Sequence, residues 1–301
     1  MPTIIEIKKE REFYQDFSSL VEALKSIAVL YFHTLQKKII TFEDIGKAIE
    51  GFFELLDLKT IAHPFALATE KPLGVVAVTS DGGLLGGLNH KVMTAAVNYA
   101  QESSGNLIIV GQQGQNFAKN LNLPYKSFAG VVDDKKYVQA QELRDYIIDE
   151  VLAQRLGAVK IIYPFARSIA HQEIIELDLL PCSGWVPEIV EQYEKERPDK
   201  NTDENTEAVK TSVFSRLGSH DVILESLPGG IIEYLAYMWI GQRLFEIFQF
   251  ARLAEYGARI VHLEESSQKI KEEEKKLKLQ YFRARREVID QQMRELFAAR
   301  I

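Results

Sequence analysis

Residues Gly229–Ile301 read GGIIEYLAYMWIGQRLFEIFQFARLAEYGARIVHLEESSQKIKEEEKKLKLQYFRARREVIDQQMRELFAARI. These 73 residues follow the last proline, Pro228, and end in a dense run of Glu, Lys, Arg, Leu and Ile. Nothing in them breaks a helix, and one unbroken helix of this length would run about 100 Å. Working back from it, no proline lies between Pro2 and Pro64, and seven of the nine fall between Pro64 and Pro198. The chain therefore divides into an N-terminal coiled-coil helix (1–60), an α/β globular domain (61–228) and a C-terminal coiled-coil helix (229–301).

The apolar spacing supports two paired helices. Phe17, Leu20, Val21, Leu24, Ile27, Ala28, Tyr31 and Leu35 advance by steps of three and four and predict one stripe on the first helix. In the last segment Tyr256, Ile260, Leu263, Ile270, Leu277, Tyr281, Ala284 and Val288 keep close to a seven-residue repeat, with Ser267 and Glu274 as polar interruptions. Each stripe needs a cover, and the antiparallel partner is the other helix. The longer C-terminal helix leaves two arrangements open: a pair buried in one bundle, or a stalk that projects beyond its partner. Leu20, Leu24, Ile27, Ile260, Leu263 and Ile289 are expected to pack the shaft or its bearing.

Apolar residues make up 46% of the 301 and charged residues 26%, an ordinary soluble composition. A net charge of −7 argues against nucleic acid as a partner, because phosphate binding needs clustered cations. The single Cys182 allows no internal disulfide. Gly230–Phe250 is the most hydrophobic window, yet Glu233, Gln242, Arg243 and Glu246 interrupt it. It reads as a helix covered by protein rather than a membrane span.

Between the helices, Leu73–Ser80, Asn106–Val110 and Val159–Tyr163 are short Val- and Ile-rich runs. Helical candidates at Asn89–Ser103, Gln115–Asn122 and Asp134–Arg155 alternate with them. That alternation predicts a small parallel sheet, with Ile174–Leu180 and Val222–Leu224 as edge strands. Tyr193–Thr211 is strongly polar and reads as a mobile loop. The Gly-rich Ser80–Asn89, SDGGLLGGLN, follows a strand and precedes a helix, a place where phosphates bind. Its glycines, Gly82, Gly83, Gly86 and Gly87, fit neither G-x-G-x-x-G nor a P-loop, so a tight turn is the plainer reading. Ser80, Asp81 and His90 lack a G-x-S-x-G elbow, and the six histidines form no zinc pattern.

Taken together, five stretches resemble the gamma subunits of rotary F-type ATP synthases. Ala23–Ala28 (ALKSIA) with Leu35 and Gln36 is similar to that family's A-M-x-M-V-A followed by Gln. SDGGLLGGLN is similar to S-D-R-G-L-C-G-G-L-N, and Ile162–Pro181 to a strand pair ending in L-L-P. Glu255, Ala258, Arg259 and Leu263 fit S-E-x-A-x-R-M-x-A-M, and Tyr281, Arg283, Arg285 and Ile289 fit Y-N-K-x-R-Q-x-x-I-T. The matches occur in family order over nearly the whole chain. Departures include Gly82 and Leu85 for Arg and Cys, Tyr31-Phe32-His33 where many members carry Lys or Arg, and Phe282, Arg286, Asp290 and Gln292 for Asn, Gln, Thr and Glu.

The resemblance implies an antiparallel coiled coil of both termini around a small Rossmann-like parallel-sheet domain. It implies a non-catalytic rotor shaft, with no cofactor or metal of its own, that couples proton or sodium flow to conformational change in catalytic beta subunits. The implied partners are the alpha and beta subunits of the catalytic hexamer, the epsilon subunit and the membrane c-ring. The implied location is peripheral, on the cytoplasmic face of the cell inner membrane. Arg285, Arg286 and Asp290 fall where the family meets the beta-subunit catch loops. From the residues themselves two other readings stay open: a nucleotide-binding α/β enzyme with helical arms, and a scaffold that dimerises through its coiled coil.

Overall fold

The computed structural model describes residues 4–39, 63–66, 69–181 and 227–298. The expected strand at Val222–Leu224, the polar Tyr193–Thr211 segment and Cys182 lie outside them, as do residues 1–3 and 40–60 of the first expected helix.

Helix α1 (Ile4–Lys38) opens the chain and α5 (Pro228–Ala298) closes it. With 71 residues, α5 spans about 107 Å. Between them run β1 (Leu73–Val78), α2 (Leu88–Glu102), β2 (Asn106–Val110), α3 (Gln112–Asn120), β3 (Tyr125–Phe128), α4 (Lys136–Leu152), β4 (Ala158–Ala166) and β5 (Gln172–Leu180). The sheet order is β3-β2-β1-β4-β5. The first four strands are mutually parallel, in register at Val76↔Ile108 and Val76↔Ile161, and β5 pairs antiparallel with β4. The sheet is thus mixed, with its one antiparallel strand at an edge.

Both faces of the sheet are covered, which is why its central strands are unbroken apolar runs. Val75, Ala77, Leu107, Ile109 and Ile162 pack on Val92, Met93, Ala96 and Val97 of α2 and Ala118 of α3. Val76, Val78, Ile108, Val110, Ile161 and Phe165 point the other way, into a core shared with α4, α5 and the end of α1. There Ile240, Leu244, Ile247, Phe248 and Leu253 of α5 are buried. The hydrophobic Gly230–Phe250 window therefore lies against protein, with its Arg243 and Glu246 joined to each other at 2.6 Å. No described helix is long and apolar enough to cross a membrane.

The first helix ends at Lys38, short of the expected residue 60, with Ile39 already out of the helix, and two strands also differ from the sequence expectation. The β3 strand was not anticipated: YKSF is short, lies at the sheet edge and is not fully buried at any position, so no apolar run marks it. The β4 strand continues through Pro164, where a boundary was expected. Pairing with β1 ends at Ala77↔Ile162, so Pro164 faces only β5 and its missing N–H interrupts no central ladder.

Candidate functional site

The shaft forms where α1 lies against α5. On α1 the covered positions are Ile7, Arg11, Tyr14, Ser18, Val21, Lys25, Ala28, Phe32 and Leu35, alternating steps of four and three. Opposite them on α5 are Tyr256, Ile260, Leu263, Ser267, Ile270, Glu274, Leu277, Tyr281 and Ala284. This is the seven-residue seam of a two-stranded coil. The direction is antiparallel. Tyr31 stacks on Tyr256 at 5.3 Å, Lys25 bonds Glu264 at 2.7 Å, Glu22 meets Lys271 at 2.9 Å, Gln15 donates to Glu274 at 3.1 Å, and Arg11 lies over the Tyr281 ring at 5.3 Å. Hydrogen bonds from Lys25 and Lys271 hold Glu264 and Glu22 below their ordinary pKa. Such exposed pairs set register more than strength.

The α5 half of this seam follows the expected repeat as far as Ala284, and Val288 beyond it is exposed. The α1 half needs a correction. Leu20 is 54% and Ile27 51% exposed, and neither packs the shaft. Leu24 is half-buried beside the small cluster of Val21, Leu263 and Ile270, and Ile260 is buried. The true seam is turned by one residue, about 100° of helix, from the stripe of greatest hydrophobicity. Arg11, Ser18 and Lys25 are in it, while Phe13, Phe17, Leu20 and Ile27 face outward and Tyr31, at the margin, still stacks on Tyr256.

At the free end α5 outlasts its partner. Arg285, Arg286 and Asp290 are all exposed there. Ile289, at 47% exposure, does not pack against α1 and stands with Met293 and Leu296 as exposed apolar surface. By helical spacing Arg286, Ile289, Asp290 and Met293 share one face. The tip thus offers charge and apolar area side by side.

At the other end the shaft is rooted in the α/β body. The Gly-rich turn fastens itself first. Asn89 Oδ1 accepts from the Ser80 N–H at 3.1 Å, the Asn89 amide donates to Ser80 Oγ at 2.8 Å, and that hydroxyl donates to the Gly82 carbonyl at 2.7 Å. Asp81 accepts from the Gln112 N–H at the start of α3 at 2.8 Å. Gly86 and Gly87 have φ of 55° and 91°, which is where glycine is needed. So tied, the turn seats Leu85 and Leu88 on Ala258 of α5, with Gly86 against His262. Ser80 and His90 are not brought together as a catalytic pair: Ser80 bonds Asn89 and Gly82, and His90 lies against Phe117.

Beside this collar is a charged cluster that sequence reasoning missed. Arg252 turns its Nη2 and Nε to the Asp133 carboxylate at 3.1 and 3.4 Å. Its Nη1 donates to Glu255 at 2.6 Å, and Nη2 also to the Tyr256 hydroxyl at 3.1 Å. Burial pushes the Glu255 carboxyl up to about 7 against the pull of Arg252 and Arg259. Burial alone would weaken the charge on Arg252, but Glu255 and Asp133 outweigh it and hold the guanidinium firmly protonated. Asp133 and Arg252 are far apart in sequence, and no local pattern links them.

A long two-helix shaft rooted in a mixed α/β body, with an uncovered tip, defines a stalk protein. The family model for ATP synthase matches residues 3–299. The chain belongs to this family as a gamma subunit. It is similar to the ATP synthase gamma chain of Trichlorobacter lovleyi, with 25% identity covering 99% of this chain and 98% of that one. Its fold is that of the rotor chain of the Euglena gracilis mitochondrial ATP synthase, with a TM-score of 0.59, 18% identity and coverage of 95% and 98%. A second Euglena structure, of the assembly described as OSCP, F1 and c-ring, matches with a TM-score of 0.60, 16% identity and coverage of 98% and 93%.

Proposed function

We propose that this chain is the central rotor shaft of a proton- or sodium-translocating F-type ATP synthase and carries no catalytic residue itself. The observation that supports this best is the asymmetric coil: α5 pairs antiparallel with α1 and then continues alone into a tip of exposed Arg285, Arg286, Ile289, Asp290 and Met293. In this reading the tip and upper shaft enter the hexamer of alpha and beta subunits. The α/β body stands on the membrane c-ring beside the epsilon subunit, at the cytoplasmic face of the inner membrane. Turning an off-axis pair of helices presents a different surface to each beta subunit in succession. Arg285, Arg286 and Asp290 make charge-assisted hydrogen bonds to beta-subunit loops, and Ile289 seats in the bearing. The division into segments 1–60, 61–228 and 229–301 is part of this proposal.

Co-purification tests this. The tagged chain should bring down alpha and beta subunits at one copy per hexamer. Removing Tyr281–Ile301 should weaken retention of the ring or uncouple hydrolysis from ion transport. A chain that never associates with such a ring overturns the reading.

A further inference from the structure

Helix α5 is both the long half of the shaft and a wall of the body's core. Torque passed between body and shaft goes through this helix and the end of α1, where Phe32, Leu35 and Ile39 join the same core. The hydrophobic driving force is non-directional, and the close-packed core resists displacement through its interdigitated side chains. A two-point bond between guanidinium and carboxylate is directional.

One such bond lies at the level where body, α5 and α1 meet. Asp133, in the turn before α4, receives Arg252 through two nitrogens. Glu255 and the Tyr256 hydroxyl hold the same guanidinium from its own helix. The Tyr256 ring, with Arg252 5.0 Å and Arg259 5.1 Å from its centre, stacks on Tyr31 of α1. Lys136 on α4 adds a second cation 3.8 Å from Asp133. The Arg252 and Asp133 side chains are 16% and 29% exposed, so mobile ions screen the pair only in part.

We infer that Asp133 and Arg252 form a clasp that fixes the rotational angle of the shaft on the body, with Glu255 and Tyr256 holding Arg252 in position. This rests on the rotor reading. These are positioning residues: they touch no nucleotide and act through the angle at which α5 and α1 leave the body.

The test uses the assembled complex, with its catalytic hexamer immobilised and a probe on the α/β body. The width of the probe's angular fluctuation during a catalytic pause reports torsional stiffness. Asp133→Asn replaces a charge-assisted bond by a neutral one of roughly half the strength, so the angular variance should rise by up to about twofold, the packed core carrying the rest. Asp133→Glu, which restores the charge, should bring it back towards the parent value. Arg252→Lys keeps the charge but loses the fork, and should also widen the distribution, which covers the case in which Asp133→Asn does not assemble. Assembly yield reads folding, whereas angular width reads the clasp. Parent-like variance in both Asp133→Asn and Arg252→Lys overturns the clasp. A parent complex whose probe never rotates overturns the rotor reading instead, without any substitution.

Discussion

Glu255 is a fully covered carboxyl in the middle of the shaft's root, and its burial has a thermodynamic sign. Its pKa stands at about 7 in the folded chain, raised from 4.5. The folded state therefore holds this proton more tightly than the unfolded state does. The stability so gained is complete below about pH 4.5 and is lost as pH rises through about 7. Gln at this position still accepts a bond from Arg252 but does not titrate. In urea unfolding, the Glu255→Gln chain should gain on the parent by about 3 kcal/mol between about pH 4.5 and about pH 8, and stay level above that. A difference that does not change with pH would mean that Glu255 titrates normally. Little at this scale was legible in the sequence. Glu255 and Arg259 were visible in a motif, but Asp133 and Arg252 meet only after the sheet has folded, and their role is spatial.

At the scale of elements, legibility followed burial. The strands β1, β2 and β4 are covered on both faces, so each is a continuous apolar run in the sequence. The half-exposed edge strand β3 has no such mark. Helix α1 misleads for the opposite reason. It carries two neighbouring stripes, and the more hydrophobic one, through Phe13, Phe17, Leu20 and Ile27, is the one left outside. The inner seam is diluted by Arg11, Ser18 and Lys25, whose long or small side chains tolerate burial beside polar layers on α5. This separates two substitutions that look alike in the sequence. Leu263→Ala, within the seam at 2% exposure, should cost about 2–5 kcal/mol in chemical denaturation. Leu20→Ala, outside it, should stay within about 0.5 kcal/mol. Equal costs would place the seam on the other stripe.

For the molecule as a whole, the long proline-free end set the length of the rod in advance, although its first part, with Ile232, Ile240 and Leu253, is buried in the body's core rather than in the coil. What the sequence left open was whether the second helix ends with its partner or passes beyond it. The contact between Arg11 and Tyr281 answers this: only seven described residues of α1 remain beyond it, while α5 continues for 17 more described residues. Taken alone, the dilute chain should sediment as a monomer that is slow for its 34.3 kDa, because a rod of about 107 Å raises friction. A compact sedimentation profile would mean that the tip folds back on the body.

The outward stripe of α1 has one more consequence. Phe13, Phe17, Leu20 and Ile27 form a ribbon of oily surface along a helix with no cover among the described residues. Outside a socket, that ribbon invites contact with anything equally water-averse, another copy included. Made without partners, the chain is expected to precipitate or be proteolysed more readily than a Phe17→Ser, Leu20→Ser variant, which solubility of the chain expressed alone would read.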